Sequence, residues 1–235
     1  MKEGANLPRG KQSGGLLTQQ KVLRAAVALF LEKGYTKTTT GEIARAAGIG
    51  QSSFFHVFPS KEALLLELVR RMFDGQFALA EQHSREEDLV FLYAVETALQ
   101  LHIAELTESL RELYVMAYSL PTTADYLYHS TAKCLQTIFG TYLPGAQPKD
   151  FYEMEIGTAA FMRGYMARPC DMYFTLEHKL ARFLSMSLSV FKVPQEEQEA
   201  ILSYIENLNI REIANKVMQQ LFVTLEMKYE FTLTN

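Results

Sequence analysis

Apolar positions recur along this chain at spacings of three and four, the period of a helix that buries one face. Val22, Leu23, Ala26, Leu29 and Phe30 make the first such run. Thr18 has the chemistry of its N-cap, and Lys33-Gly34 ends it, with a cation in the last turn and glycine past the end. Thr39 and Glu42 have the spacing of a capping box, in which hydroxyl and carboxylate satisfy each other's backbone donors. Gly48 stops the helix they open. Pro59-Ser60-Lys61-Glu62 then starts a fourth helix with Ser60 as N-cap, running to about Gln82. Beyond Ser84 the same period predicts helices over 86–106 with an extension over 110–118. A break at Pro121-Thr122-Thr123 precedes further helices over 124–143, 150–166, 175–193, 194–207 and 210–230. Alternating β-branched runs bounded by hairpin turns are missing, so the fold class is all-α.

Residues 38–58 carry the one pattern that announces a task. They predict two short helices joined by a glycine turn. Ala44 is small where the second helix crosses above it, and Gly48 permits the left-handed backbone that ends the first. Ile43, Ala47, Ile49, Phe54 and Val57 form the seam between them. Gln51, Ser52, Ser53, Phe55 and His56 are left facing outward, mostly short or hydrogen-bonding groups suited to a major groove.

The net charge of −4 changes meaning once it is divided along the chain. Residues 1–61 hold nine Lys/Arg against three acids, a net +6, and the remainder is −10. A basic head on an acidic body is the asymmetry of a protein that meets phosphate at one end. The chain divides into 1–17 as a flexible arm, 18–62 as a helix-turn-helix DNA-binding domain, and 63–235 as a larger helical domain, to which a family resemblance assigns ligand binding and dimerisation. Residues 1–17 have turn formers and no periodicity. Gly10-Lys11 lacks the glycine spacing, the Ser/Thr and the preceding strand of a phosphate loop.

The blocks Ala25-Ala26-Val27-Ala28-Leu29-Phe30, Gly34-Tyr35, Thr38-Thr39, Ile43-Ala44-Arg45-Ala46-Ala47-Gly48 and residues 53–64 together resemble the N-terminal domain of the tetracycline-repressor (TetR) family. The match covers residues 18–68, about a fifth of the chain. The resemblance implies an all-helical, homodimeric regulator whose C-terminal domain binds a small molecule and thereby releases a palindromic DNA operator, with repression the expected output. Carried over position by position, it implies DNA contacts from Thr38, Thr39, Gln51, Ser52, Ser53, Phe55, His56 and Lys61. His56 and Lys61 match the family as phosphate contacts, whereas the two threonines also serve as caps. Three positions depart. Gly50 replaces a Ser/Thr cap, Gln51 stands where Lys is common, and Phe55 replaces a Tyr. By position, residues 150–166 and 175–193 would pair with their mates in a dimer. Gly157, Thr158, Ala159, Ala160 and Gly164 would permit close approach beside the stripe Leu180, Leu184, Ser187, Leu188 and Phe191. Packing within the chain is an equal alternative for both sets.

The body carries no catalytic signature: HExxH, GxSxG, Walker and GxGxxG patterns are absent. No cofactor or metal is expected, and His102, His129 and Cys134 do not have the spacing of a ligand set. Glu153 and Glu155, with Glu86, Glu87 and Asp88, are expected on solvated helix faces. Two distant cysteines, Cys134 and Cys170, are expected as free thiols in a reducing cytoplasm. No run of eighteen residues lacks a charge, so a membrane span is not expected. Tyr93, His102, Tyr114, Tyr118, Tyr126 and His129 combine apolar area with polar tips, as the walls of binding cavities do. With phenols and thioethers but no central charge, they point to an uncharged, aromatic or lipophilic effector. The alternative for the whole chain is a helical adaptor that keeps the fold without operator recognition.

Overall fold

The computed structural model describes residues 9–83 and 88–225, with side chains from residue 15 and, within the helix ending at His83, only as far as Phe73. Eleven helices and no strand occur among the described residues. The head is built from α1 (Arg9–Lys33), α2 (Thr40–Ala46) and α3 (Gln51–Val57). The connecting helix α4 (Lys61–His83) leads to a body of α5 (Leu89–Leu106), α6 (Glu108–Ala117), α7 (Pro121–Phe139), α8 (Pro148–Ala167), α9 (Leu176–Val190), α10 (Gln195–Glu206) and α11 (Ile210–Thr224).

The helix ends obey local chemistry. Thr39 Oγ1 accepts from the Glu42 N–H at 3.3 Å while the Glu42 carboxylate accepts from the Thr39 N–H at 2.9 Å, completing the capping box. Asp88, Thr107, Thr175 and Asn209 cap α5, α6, α9 and α11 through a side-chain oxygen that accepts from one first-turn N–H. Ser60 Oγ accepts from Ala63 N–H at 3.0 Å at the start of α4. Each such cap is worth ~1 kcal/mol. Two ends differ from the sequence expectation. The first helix begins at Arg9, so Thr18 lies inside it and residues 9–17 continue α1 rather than forming an arm; residues 1–8 lie outside the described residues. Once Val22 and Leu23 are anchored, each residue added upstream costs no new nucleus. Pro121 opens α7 instead of breaking the pattern, because proline at the first helical position gives up only an N–H that has no partner there.

The body is organised around α5, which packs against α4 and against α6 through α11. Its length and mean hydropathy of 1.4 satisfy the composition of a membrane span, yet 72% of it is buried inside the protein. It is the core helix. Phe139 stacks on Phe191 at 4.2 Å, and Tyr93 meets both rings edge-on. The stripe Leu180, Leu184, Ser187, Leu188 and Phe191 is buried within the chain and belongs to this core. On α8, by contrast, Ile156, Gly157, Ala160, Phe161 and Gly164 share one exposed face, with Ile156 at 41% and Phe161 at 37% exposure.

Candidate nucleic-acid interface and effector cavity

The head forms because its seam is dry. Ile43 and Phe54 are fully buried, Ala44 is 2% exposed, and Ala47, Ile49 and Val57 close the edges. Gly48, at φ +68°, ends α2 with two bonds. Its own N–H reaches Arg45 O at 3.1 Å, and the Ile49 N–H reaches Ala44 O at 3.0 Å. That pair is the Schellman motif, which turns the chain into α3. Gly50 precedes α3 with no side-chain cap, as its replacement of a hydroxyl residue implies.

The eight DNA-facing candidates do not share one surface. Gln51, Ser52, Ser53, Phe55 and His56 are all exposed along α3. Phe55 is 45% exposed and meets Phe54 edge-on at 5.3 Å, so its ring is steadied from beneath. Thr39 is exposed, though its hydroxyl is engaged with Glu42. Glu42 is held down at about 2 by the Lys33 ammonium first, then by the Thr39 N–H and hydroxyl. Thr38 is corrected. It is 1% exposed, and its hydroxyl donates to Gly34 O at 2.8 Å, locking the loop between α1 and α2. Lys61 is also revised. Its Nζ donates to Tyr35 O at 2.9 Å and Thr38 O at 2.8 Å and sits 4.1 Å over the Tyr35 ring. Burial lowers its pKa and pushes the Tyr35 phenol up to about 12. Two of the three ammonium donors are therefore spent inside the head. Two exposed cations that pattern reasoning passed over, Lys37 and Arg45, make no ion pair among the described residues.

Residues 22–68 match the family model for bacterial regulatory proteins of the tetR family. The head of this chain is thus similar to the N-terminal domain of tetR-family regulatory proteins. Among its relatives, the HTH-type transcriptional regulator RutR of Escherichia coli (strain K12) is 32% identical over 104 residues, 44% of this chain and 48% of that protein. The HTH-type transcriptional repressor KstR2 of Rhodococcus jostii (strain RHA1) is 39% identical over 70 residues, 30% of this chain and 34% of that protein. The uncharacterized HTH-type transcriptional regulator YuxN of Bacillus subtilis (strain 168) is 39% identical over 59 residues, 25% of this chain and 20% of that protein. The chain thus spans about half the length of these relatives at most. The likeness to TetR-family regulators is strongest where the sequence pattern was most specific.

A carboxylate joins this TetR-type head to the body. Glu112 of α6 accepts from the Tyr35 N–H at 3.0 Å and the Thr36 N–H at 2.9 Å. Gly34, at φ +86°, makes that approach possible, since a Cβ there would lie 2.1 Å from Glu112 Oε2. A second carboxylate, Glu62 at the start of α4, accepts from the Thr122 N–H of α7 at 2.7 Å.

The body holds two adjoining cavities that share Phe73 and Tyr118. The first is wholly apolar and lies between α4, α6 and α1, with Leu68, Met72, Leu113 and Tyr114 among its walls. The second is polar, lined by Tyr93, Glu96, Gln100, Cys134, Glu155 and Thr158 among others. Tyr93, Tyr114 and Tyr118 therefore do line cavities. Three further candidates lie outside these two cavities. His102 bonds Ala98 O at 2.8 Å and faces a separate groove beside α10 and α11. Tyr126 lies under the Arg70 guanidinium at 4.9 Å. His129 is an exposed residue stacked on Tyr152 at 4.7 Å and paired with Asp125 at 3.5 Å. Their spacing put them on α7 or α5, but on faces turned away from the cavities.

Two further corrections concern charge. Glu155, expected on a solvated face, is 5% exposed, and Glu96, equally buried, went unremarked in the sequence. Two titratable carboxyls therefore stand in the wall of the second cavity beside the phenols. Burial pushes Glu96 up to about 7 and Glu155 up to about 8, and the negative charge of Glu96 adds to the second shift. The signal for Glu96 was present in the sequence as a carboxylate midway along the strongly apolar segment Leu89–Leu106.

Proposed function

We propose that the chain is a homodimeric, cytoplasmic transcriptional regulator, a repressor released from a palindromic operator by a small molecule held in its body. The exposed row Gln51, Ser52, Ser53, Phe55 and His56 on a rigidly packed second helix carries this reading. It presents amide, hydroxyl and imidazole groups at major-groove depth while the seam beneath stays dry. Dimerisation uses the exposed α8 face around Gly157, Ala160 and Phe161, where small residues let a second copy approach and Phe161 supplies apolar area. The TetR-family relatives whose names say regulator or repressor support the class of activity. The effector acts through α6, which lines the apolar cavity with one face and holds the head through Glu112. A ligand that favours the displaced position of α6 loosens that clasp and changes the spacing of the two heads; one with equal affinity for both states shifts nothing.

Selection of fragments from the source genome, followed by gel shift at several salt concentrations, tests this. A selectively bound site with steep salt dependence is expected. Gln51→Ala and Ser53→Ala should change which bases are preferred rather than weaken every sequence alike. Recovery of no selective site would instead favour the adaptor alternative, which the uncapped start of α3 at Gly50 supports.

A further inference from the structure

The polar cavity places two carboxyl groups, Glu96 and Glu155, among walls that offer them no basic partner. Glu96 accepts from Gln100 Nε2 at 2.5 Å and Glu155 from Thr158 Oγ1 at 2.9 Å. Gln100 and Thr158 are neutral donors, and both carboxyl residues are only 5% exposed. Gln100 is committed on its other side as well, accepting from the Tyr118 hydroxyl at 2.7 Å. No Lys, Arg or His lines the cavity among the described residues. Elsewhere in this body a buried carboxylate is matched: Glu105 has Lys179 at 2.5 Å and Arg111 at 2.7 Å. Buried carboxylates without a counter-charge are costly, and proteins pair or neutralise them. Glu96 and Glu155 share a cavity whose neighbour, through Tyr118 and Phe73, is entirely apolar.

We infer that the two cavities form one binding site for a lipophilic amine, with its protonated nitrogen between Glu96 and Glu155 and its apolar body among Leu113, Tyr114 and Met72. The inference rests on the ligand-responsive regulator proposed above and names its effector class. The free volumes are about 30 Å³ in the polar cavity and 40 Å³ in the apolar one, room for a few waters. Binding therefore moves the walls, and the thioethers of Met72, Met162 and Met218 are the side chains built to yield. Tyr118 stands at the junction, its ring available to the cation and its hydroxyl holding Gln100.

Calorimetric titration of the full chain with three matched probes tests the assignment: 4-butylbenzylamine, 4-butylbenzyl alcohol and 4-butylbenzoate. The amine should bind at least about tenfold tighter than the alcohol, the margin of a charge-assisted over a neutral hydrogen bond, and the benzoate weakest. Glu96→Gln and Glu155→Gln, singly and together, should abolish the preference for amine while leaving alcohol binding in place. Equal affinity for amine and alcohol, tighter binding of benzoate, or a preference that survives in the double variant overturns the assignment. So does the absence of any binding by a chain that still retains a selective site in a parallel gel shift, an outcome that leaves the regulator standing. Loss of selective DNA binding by the unliganded wild-type chain is the separate failure of the regulator itself.

Discussion

Glu96 and Glu155 make the protein's stability depend on pH in an unusual direction. From an ordinary 4.5 they are raised to about 7 and about 8, first by burial. A native carboxyl with a raised pKa keeps a proton that the unfolded chain has already released. Stability is therefore highest below about pH 4.5 for this contribution, falls as pH rises, and is fully lost only above the native pKa. A tenfold difference in proton affinity is worth about 1.4 kcal/mol, so Glu96 alone lowers native stability by ~3 kcal/mol at pH 8.5. Glu155 acts in the same sense, but part of its shift is repulsion from Glu96, so the two effects do not add. His102 has the opposite slope below pH 6.5, because burial lowers its pKa. That contribution cancels when variants are compared with the parent at each pH. Urea unfolding at fixed protomer concentration, at pH 5.5, 7 and 8.5, should show Glu96→Gln gaining ~2–3 kcal/mol on the parent between the lowest and highest pH. Glu155→Gln should gain in the same direction. A variant-minus-parent difference that stays flat from pH 5.5 to 8.5 would refute the claim that burial raises these carboxyls in the folded body.

Three other outcomes follow from the head and from the proposed dimer face on α8. Gly34→Ala forces a Cβ onto Glu112 and a strained φ, and should cost ~1–3 kcal/mol in chemical unfolding; an unchanged midpoint would mean the Glu112 clasp is not made in solution. Lys61→Met removes the donor to two loop carbonyls and should lower stability by ~1–3 kcal/mol. A uniform collapse of DNA affinity with unchanged stability would show that its ammonium serves phosphate instead. Phe161→Asp places a charge on the exposed α8 face and should yield a monomer by light scattering; a persistent dimer would move the interface elsewhere.

The head was legible because its determinants are local. A capping box spans four residues, and a Schellman turn needs one glycine in a left-handed conformation. Ile43, Ala44 and Phe54 lie close enough in sequence for spacing to show their contact. Thr38 and Lys61 were legible as residues of that head but not in their roles. Whether a hydroxyl points at a groove or at Gly34 O depends on how α1 ends, and whether an ammonium is free depends on two carbonyls more than twenty residues upstream. The start of α1 was missed for a different reason: residues 9–17 have weak periodicity, and their helicity is borrowed from the anchored segment behind them.

In the body, periodicity placed each helix but not its rotation about its own axis relative to several neighbours at once. On α8, Glu155 and Ile156 are adjacent, yet the carboxylate is buried and the isoleucine exposed, the reverse of what hydropathy alone predicts. That inversion carries information. A helix that turns Ile156, Gly157 and Phe161 outward gains nothing from solvent, so the exposed face calls for a second apolar surface. Turning Glu155 inward costs several kcal/mol unless something of opposite charge or a proton meets it. The proposed partners, a second copy against the outer face and a protonated amine against the inner one, would account for both exceptions on one helix. A helix with the proposed ligand on one side and the proposed mate on the other is also placed to couple them. Amine binding should therefore shift the dimer's dissociation constant, measured by sedimentation at several protein concentrations with 4-butylbenzylamine saturating. By linkage, the dimer and the monomer must then differ in amine affinity by the same factor. An identical dissociation constant with and without bound amine would show that α8 serves its two faces independently.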